Sequence, residues 1–221
     1  MMEALELIRE RRSYRAFKPE PVTKEVMQKI VEAAGNCSSY TNTQPWEMFV
    51  ISGKKRDELS RILYKLAEEH APASPDIALP TNWPEELDQR NREHGARRLN
   101  ILGIDRDDKA GREEMRLLNF EFLGAPCAVF LFMDKSLGEW SLFDMGLFAK
   151  NLVLAAASLG VGSCIQASVS EYAGDIKKYL GLAEDKKLIC TISMGYPDPD
   201  ARHNQYRSLK KKPEEFFHWI R

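Results

Sequence analysis

The chain has 221 residues, of which 43% are hydrophobic and 29% charged, with a formal net charge of −1 and a pI near 6.5. The apolar content is enough for the core of one compact domain, 1–221. Near-zero charge disfavours binding to nucleic acid or to a membrane surface, because both usually require a basic excess. The N-terminus is acidic where a signal peptide is apolar, and no apolar run approaches the roughly 20 residues of a membrane span. We therefore expect a cytoplasmic protein that binds neither nucleic acid nor membrane.

The cysteines and histidines do not form a metal or nucleophile motif. The four cysteines are far apart, without C-x-x-C spacing, and are expected to be buried reduced thiols: Cys37, Cys127, Cys164 and Cys190. The four histidines are equally scattered: His70, His94, His203 and His218. The sequence also lacks an H-E-x-x-H pair, a Walker lysine loop and a G-x-G-x-x-G fingerprint. We expect no metal site.

The first elements are two helices, a strand and a third helix. Apolar residues recur at helical spacing over 3–10 and 23–34, and Thr23 stands at the N-cap position of the second segment. The stretch 46–53 alternates between polar and apolar residues and ends at glycine, which indicates a strand. Residues 54–69 return to helical spacing.

A proline-rich segment interrupts this order. Residues 70–84 are expected to be irregular, and charged segments follow at 85–99 and 107–123. Pro126 forbids continuation of the last segment as a helix. The excursion around 70–105 is long enough to form a lid.

The second half of the chain alternates strands and helices. Strands are predicted at 127–134, 163–169 and 186–197, and helices at 140–159 and 170–180, the latter capped by Ser170. The run at 127–134 is apolar throughout, which is typical of a central strand buried on both faces. The helix at 140–159 is apolar nearly all round, so it belongs to the core or to an oligomer interface.

Three arginines crowd into five positions at the end of the first helix. Arg11, Arg12 and Arg15 surround Ser13, and guanidinium groups bind phosphate with two parallel hydrogen bonds, to which a hydroxyl can add a donor. The pattern indicates an anion cradle. A solvated helix end is the alternative.

A second polar run precedes the first strand. Ser38, Ser39 and Asn42 belong to the stretch "SSYTNTQPW", where a simple connection would need only a turn. In combination with "RRSYR", this stretch resembles the FMN-dependent nitroreductase superfamily. The similarity extends to the "GAP" at 124–126, the "GVGSC" and "SMGYP" segments and the "KKKPEEFFHW" tail.

The resemblance implies a fold and an assembly. The fold is α+β, with a central, mixed but mostly antiparallel sheet flanked by helices in an intertwined homodimer. The apolar helix 140–159 lies in the two-fold interface, and the tail 198–221 reaches over the partner subunit. The segment with Trp83 and the arginines at 97–98 is similar to a subgroup that includes nitrobenzoate-type reductases.

The resemblance also implies how FMN is held at its phosphate end. Arg11, Arg12, Ser13 and Arg15 correspond to the phosphate and ribityl contacts. Lys211, two residues before the tail proline, corresponds to a further phosphate-side cation, although lysine lacks the guanidinium fork. The other half of the site, with Ser38, Ser39 and Asn42, comes from the partner subunit.

Two further segments resemble ring contacts. The strand end at Gln166, Ala167 and Ser168 is similar to the segment whose backbone N–H faces flavin N5, where a donor stabilises the charge left after hydride uptake. Arg116 and Asn119, spaced i and i+3, resemble the pair at the pyrimidine edge. Ordinary helix-surface charge is the alternative for that pair.

The resemblance therefore implies an NAD(P)H-dependent FMN oxidoreductase that reduces nitroaromatics or quinones in ping-pong order. No catalytic protein acid or base is obligatory, because the cofactor carries the chemistry and solvent supplies protons. One alternative is a substrate-specific reductase on the same cofactor, such as a dehalogenase of the iodotyrosine deiodinase kind or a flavin-fragmenting enzyme. Against the deiodinase, Glu85 replaces the lysine that would bind an amino acid. A non-catalytic flavin-binding sensor is the second alternative.

The adjacent arginines at 97 and 98 lie in the predicted lid. If they face the oxidant, a carboxylated nitroaromatic should be preferred over its neutral analogue. A solvated helix face explains the same pair equally well.

Overall fold

A computed structural model describes residues 3–221, so the first two residues of the predicted domain 1–221 lie outside the described part. The helices and strands follow in this order: α1 (Ala4–Glu10), α2 (Lys24–Gly35), β1 (Glu47–Ser52), α3 (Gly53–Glu68), α4 (Glu85–Leu102), α5 (Lys109–Leu117), β2 (Cys127–Asp134), α6 (Glu139–Ser158), β3 (Gly162–Gln166), α7 (Ala173–Leu180) and β4 (Lys186–Gly195).

The sheet has the strand order β1-β2-β4-β3, and each neighbouring pair is antiparallel. Within residues 3–221 the parallel component is a single bridge between Ser13 and Ser163. Successive side chains of a strand point to opposite faces, so β2 contributes side chains to a hydrophobic core on each face of the sheet. Val129 and Leu131 pack with α2 and α6, while Phe130 and Phe132 pack with α3 and α7. The predicted α+β class and the central position of β2 are confirmed.

Most predicted elements lie within a few residues of the observed ones, with one clear error. Thr23 caps α2 as expected, since its Oγ1 accepts a hydrogen bond from the backbone of Val26 at 3.3 Å. The prediction that Ser170 caps a helix is wrong. Ser170 lies inside a 3-10 turn, Ser168–Tyr172, and its own N–H donates to the carbonyl of Ala167. Helix α7 begins only at Ala173.

Helix α6 has one buried face and one apolar face that is exposed to solvent. Met145, Phe148 and Leu152 are at most 2% exposed in the core, whereas Trp140 and Phe143 are 67% and 58% exposed. Both alternatives raised by its sequence therefore apply to one helix, which fills the core and carries an uncovered apolar face. No helix within residues 3–221 is both long and apolar enough to cross a membrane.

The proline-rich excursion is pinned at its start. Asp76 accepts hydrogen bonds from the backbone N–H of Leu188 at 2.8 Å and from Nζ of Lys177, a side chain only 3% exposed, at 3.1 Å. Ser74 donates its N–H to the carbonyl of Glu171 at 2.8 Å. Residues near 76 are thus part of the fixed framework, so a moving lid would have to begin further along.

Candidate cofactor site

The arginine segment lies along the edge strand β3. The N–H of Tyr14 donates to the carbonyl of Ser163 at 3.0 Å, and that of Lys18 donates to Tyr196 at 2.8 Å. Gly162 permits this close approach, because an added Cβ would lie 2.6 Å from Cγ of Pro197 and 2.8 Å from the Tyr14 ring. The backbone of this segment is fixed before any ligand arrives.

Asn204 holds the same segment from the C-terminal side. This buried side chain accepts from the N–H of Arg15 at 2.7 Å and donates to the carbonyls of Ala16 and Asp198 at 2.8 and 2.7 Å. Sequence reasoning missed Asn204, since no motif surrounds it. Asn204 therefore fixes the backbone of Arg15 and Ala16 by hydrogen bonds.

The three arginines have no acidic partner among residues 3–221. Nε of Arg11 is buried without a hydrogen-bond acceptor. The guanidinium of Arg12 lies over the ring of Tyr14, 4.9 Å from its centre, and that of Arg15 reaches only the carbonyl of Ser13 at 3.5 Å. Half-buried cations without an acidic partner can bind an anion, and this cluster has the donors to do so.

Further cations gather at the Arg11 end. The pKa of the Lys150 ammonium is lowered by desolvation and then by the positive charges of Arg11 and Lys210. The sequence prediction did not include Lys150 or Lys210. It named Lys211, whose Nζ lies 3.1 Å from Oε1 of Glu86 and lowers the pKa of that carboxyl. Within one protomer Lys211 therefore fixes the tail to α4.

A second group of cations lies at the Arg15 end. Arg15 and Arg98 line one cleft with Arg202, His203 and Tyr206. Burial, followed by the charges of Arg98 and Arg15, lowers the pKa of His203. Arg97 is separate, since its guanidinium pairs with Glu93 at 3.4 Å, one turn earlier on α4. The predicted pair 97–98 is thus split, with one member turned inward.

At the end of β3, two predicted ring contacts bind each other. The buried amide of Gln166 donates to the carbonyl and to Oδ1 of Asn119 at 3.1 and 3.3 Å, and its Oε1 accepts from Ser193. These contacts order the strand end. The exposed N–H of Ala167 has no protein acceptor within residues 3–221, so it remains available to a ligand, with Ser168 following it in the 3-10 turn.

Arg116 is held by its own neighbours. Its guanidinium contacts Glu113 at 2.7 Å and the carbonyl of Ala67 at 2.7 Å. The hydrogen bonds that Arg116 donates to Glu113 are the main cause of the raised pKa of Arg116. A role at the pyrimidine edge stays a prediction, and it would require Arg116 to leave these contacts.

The polar loop before β1 is strained and tightly held. Thr41, Asn42 and Gln44 have φ of +48°, +61° and +48°, a conformation that costs about 1–3 kcal/mol for each non-glycine residue. Both carboxylate oxygens of Asp144 accept from the N–H of Tyr40, at 3.1 and 3.2 Å, and Oγ of Ser39 accepts from Gln44 at 3.0 Å. Sequence reasoning missed this role of Asp144, a 2% exposed residue of α6.

The loop and the arginines lie at opposite ends of α6. Ser38 and Ser39 border a cavity of about 200 Å³ beside Asp144, whereas Arg11 borders a second cavity beside Ala157. Ala157 lies thirteen positions after Asp144 on the helix, which corresponds to about 20 Å. The structure does not bring the two predicted halves of the site together within one protomer.

Comparison with known proteins decides the family. The model of the nitroreductase family matches residues 8–196. The chain belongs to the nitroreductase family. A 4-nitrobenzoate reductase of Pseudomonas putida is 32% identical over 214 residues, 97% of this chain and 94% of that protein. Nitroreductase NfnB of Mycolicibacterium smegmatis is 36% identical over 204 residues, 91% of this chain and 86% of that protein.

A solved structure of this group agrees in fold. The FMN-dependent nitroreductase NfnB from Mycobacterium smegmatis, in complex with NADPH, has a TM-score of 0.94 at 34% identity and covers 99% of this chain and 98% of that one. By contrast, the iodotyrosine deiodinase of Danio rerio is 30% identical over only 77 residues, 35% of this chain. The resemblance to the nitroreductase superfamily and its nitrobenzoate-reductase-like subgroup is confirmed.

Proposed function

We propose that this nitroreductase binds FMN and uses NAD(P)H to reduce nitroaromatic compounds, working as a homodimer. The observation that carries the proposal is the half-buried cluster of Arg11, Arg12 and Arg15, which has no acidic partner within residues 3–221 and in which Nε of Arg11 also lacks an acceptor. A terminal phosphate supplies the acceptor oxygens that this group lacks. The residues present therefore fit the phosphate end of FMN.

The chain's own groups would divide the binding work. Arg11, with Lys150 and Lys210 beside it, provides the positive field for the phosphate, and Arg12 and Ser13 add donors at the same sheet edge. The unpaired N–H of Ala167 suits an acceptor on the ring. FMN, when bound, supplies hydride transfer between nicotinamide and oxidant. No side chain is assigned as a catalytic acid or base.

Ser38, Ser39 and Asn42 are proposed to contact the cofactor held by the other subunit. About 20 Å of helix α6 separates their loop from the Arg11 end of the same protomer, a separation that favours sharing across a two-fold axis. The uncovered apolar side chains support the same assembly: Tyr40, Trp140, Phe143, Phe216, Phe217, Trp219 and Ile220 are 57–93% exposed. We propose that the tail 198–221 covers the partner subunit and that Lys211 contributes there.

Nitroaromatics are the preferred oxidants because two similar proteins of nearly full length carry the names 4-nitrobenzoate reductase and nitrobenzene nitroreductase. Quinones are accepted as a secondary class in this proposal. The expected compartment is the cytoplasm, which the four unpaired thiols support. Burial raises the pKa of Cys127 to about 12, so this thiol stays protonated and unreactive.

The direct test is the visible spectrum of the purified protein. We expect a yellow protein that releases FMN rather than FAD on denaturation, because the cluster offers one phosphate site and the sequence lacks a dinucleotide fingerprint. The colour should bleach with NADH or NADPH under nitrogen and return on addition of nitrobenzene or 4-nitrobenzoate. A colourless protein that takes up no FMN contradicts the proposal, and a yellow protein that neither nicotinamide bleaches indicates a flavin sensor.

A further inference from the structure

A groove of about 670 Å³ lies between helix α4 and the turn that leads into α5, and the proposed function does not yet use it. Leu99 and Ile104 provide apolar surface, and Gly95 borders the groove from the middle of α4. Glycine is less favourable than alanine inside a helix, and a Cβ added to Gly95 would meet no atom within 4 Å. Gly95 therefore keeps space open in the groove, whose volume is typical of a pocket for a small-molecule ligand.

The turn after α4 brings two unpaired arginines to this groove. Gly103 ends the helix in the left-handed conformation, with φ of +72°, and its N–H donates to the carbonyl of Asn100 at 3.1 Å. Nη1 of Arg112 donates to the carbonyl of Arg106 at 3.2 Å, and neither guanidinium pairs with a carboxylate of residues 3–221. The acidic residues at 107–108 do not border the groove.

The other charged side chains at the groove include one carboxylate without a partner. Arg92 and Glu93 of α4 are paired with Asp88 and Arg97, at 2.5 and 3.4 Å. Asp105 borders the groove and forms no ion pair within the described part of the chain. Two guanidinium groups and one carboxylate are therefore available to a ligand, next to an apolar surface.

This combination of groups matches the adenosine diphosphate arm of a nicotinamide dinucleotide. Guanidinium groups bind phosphate oxygens through charge-assisted hydrogen bonds. A carboxylate accepts hydrogen bonds from ribose hydroxyls, as it does in dinucleotide-binding folds. The faces of an adenine ring are apolar and can pack on Leu99 and Ile104. A nitroaromatic oxidant has neither a pyrophosphate nor a sugar, so it would leave most of these groups without a partner.

The groove lies next to a smaller cavity at the ring end of the cofactor site. Ile104 borders both, and Leu118 borders the smaller one, which measures about 310 Å³. Leu118 precedes Asn119, whose carbonyl accepts a hydrogen bond from Gln166 at the strand end that is proposed to face the ring. Arg112 lies six positions before Leu118, about 9 Å at the rise of a helix. A dinucleotide with its nicotinamide at the ring end can therefore reach the groove with its other arm.

We propose that this groove binds the adenosine diphosphate arm of NADH or NADPH. The inference rests on the proposed function and deepens it, because it gives a separate site to the part of the electron donor that takes no part in hydride transfer. Arg106 and Arg112 bind the pyrophosphate, Asp105 accepts from a ribose hydroxyl, and Gly95 leaves room for the arm beside α4. Binding of the arm holds the nicotinamide in position at the ring.

The experiment compares electron donors with and without this arm on the FMN-loaded protein. Reduced nicotinamide mononucleotide carries the same hydride-donating ring as NADH but lacks the adenylate half. Arg106→Met should raise the apparent dissociation constants of NADH and NADPH by about tenfold, the loss expected for one hydrogen bond to a charged group. The constant of the mononucleotide should not change. Stopped-flow bleaching of the flavin measures all three donors.

Two further variants separate the groove from a general effect of charge. Gly95→Leu fills the groove from α4 without altering any charge, and it should give the same selective loss for the dinucleotides. Lys109→Met is the matched control, since it removes an exposed positive charge from the start of α5 that does not border the groove. It should leave all three donors unchanged. ADP-ribose should compete with NADPH in the wild type and compete less well in Arg106→Met.

The outcomes distinguish this site from the alternatives. Equal losses for the dinucleotides and the mononucleotide would overturn it, and so would unchanged dinucleotide binding in both Arg106→Met and Gly95→Leu. A changed preference between 4-nitrobenzoate and nitrobenzene with unchanged donor constants would also overturn it and assign the groove to the oxidant. A wild-type protein that binds no FMN, or whose FMN no donor bleaches, fails the proposed function instead, before any variant is compared.

Discussion

The two ends of helix α6 are prepared for different partners. At the Ala157 end, the backbone of residues 11–18 is fixed by hydrogen bonds to Ser163 and Tyr196, yet its guanidinium groups have no internal anion. At the Asp144 end, the polar loop satisfies its own backbone through Asp144, yet Tyr40, Trp140 and Phe143 remain exposed. The Ala157 end lacks an anion to pair with its guanidinium groups, and the Asp144 end lacks a surface that would cover its aromatic side chains.

The difference indicates which kind of ligand each end accepts. Unpaired buried cations are completed by a small anion, because a few charge-assisted hydrogen bonds are enough. Exposed aromatic side chains are completed by another protein surface, where their area is removed from water. In the assembly that we propose, each protomer would contribute its arginine cluster to one cofactor site and its polar loop to the other.

The largest effect should distinguish core from interface within α6 itself. Phe148 is 2% exposed and stacks on Trp46 with ring centres 4.6 Å apart, whereas Phe143 is 58% exposed. Phe148→Asp should unfold the protomer, since it loses about 3–5 kcal/mol of packing and buries an unpaired charge. The resemblance implied that helix 140–159 as a whole lies in the interface, and the structure places Phe148 of this helix in the core.

Phe143→Asp should leave helical circular dichroism near that of the wild type but shift the protein to monomers in sedimentation, with loss of FMN. A Phe143→Asp protein that stays dimeric and retains FMN would show that this face of α6 is not in the interface.

The second effect tests the phosphate end. Arg11→Ala should weaken FMN binding by about 1.5–3 kcal/mol, the range for a lost hydrogen bond to a charged group. Arg12→Ala is the control with a smaller expected loss, because the Arg12 guanidinium already stacks on Tyr14. Fluorescence titration of the apoprotein measures both. Equal losses in the two variants would show that Arg11 binds FMN no more strongly than Arg12, despite its buried Nε.

The smallest effect tests whether the arginine backbone must lie against β3. Gly162→Ala would place a methyl group 2.6 Å from Pro197 and 2.8 Å from Tyr14, so the segment must move. We expect a loss of about 1–3 kcal/mol in unfolding free energy, together with weaker FMN binding. Gly174→Ala, in α7 with its nearest contact at 4.0 Å, should gain up to about 1 kcal/mol. Urea unfolding compares the two, and an undisturbed Gly162→Ala protein contradicts the close packing.

Elements with a strong local pattern could be predicted from the sequence. Strand β2 and helix α6 were placed within about a residue, because an uninterrupted apolar run and a long helical period do not depend on distant contacts. Ser170 was misplaced because a serine before a helical stretch resembles a cap, while the observed 3-10 turn depends on Ala167 and on the neighbouring excursion.

The candidate site was half visible in the sequence. The crowded arginines of 11–15 indicated a bound anion, because like charges so close together repel each other unless an anion lies between them. Lys150 could not be found this way, and the adjacent arginines 97 and 98 could be singled out but not told apart. A single lysine in an apolar helix resembles a solvated position, and the inward turn of Arg98 depends on how α4 docks against Tyr206.

The shared site is tested most directly by mixing two defective subunits. Arg11→Ala impairs the phosphate end, and Ser38→Phe, at an exposed position, fills the loop end without disturbing the core. Each homodimer should bind FMN weakly, but a mixed dimer isolated with two affinity tags should regain one intact site, formed by Arg11 of the Ser38→Phe subunit and Ser38 of the Arg11→Ala subunit. Tight FMN binding at half of the wild-type stoichiometry is the predicted result. A mixed dimer that binds no better than its parents would contradict the account, because each site would then lie within a single subunit.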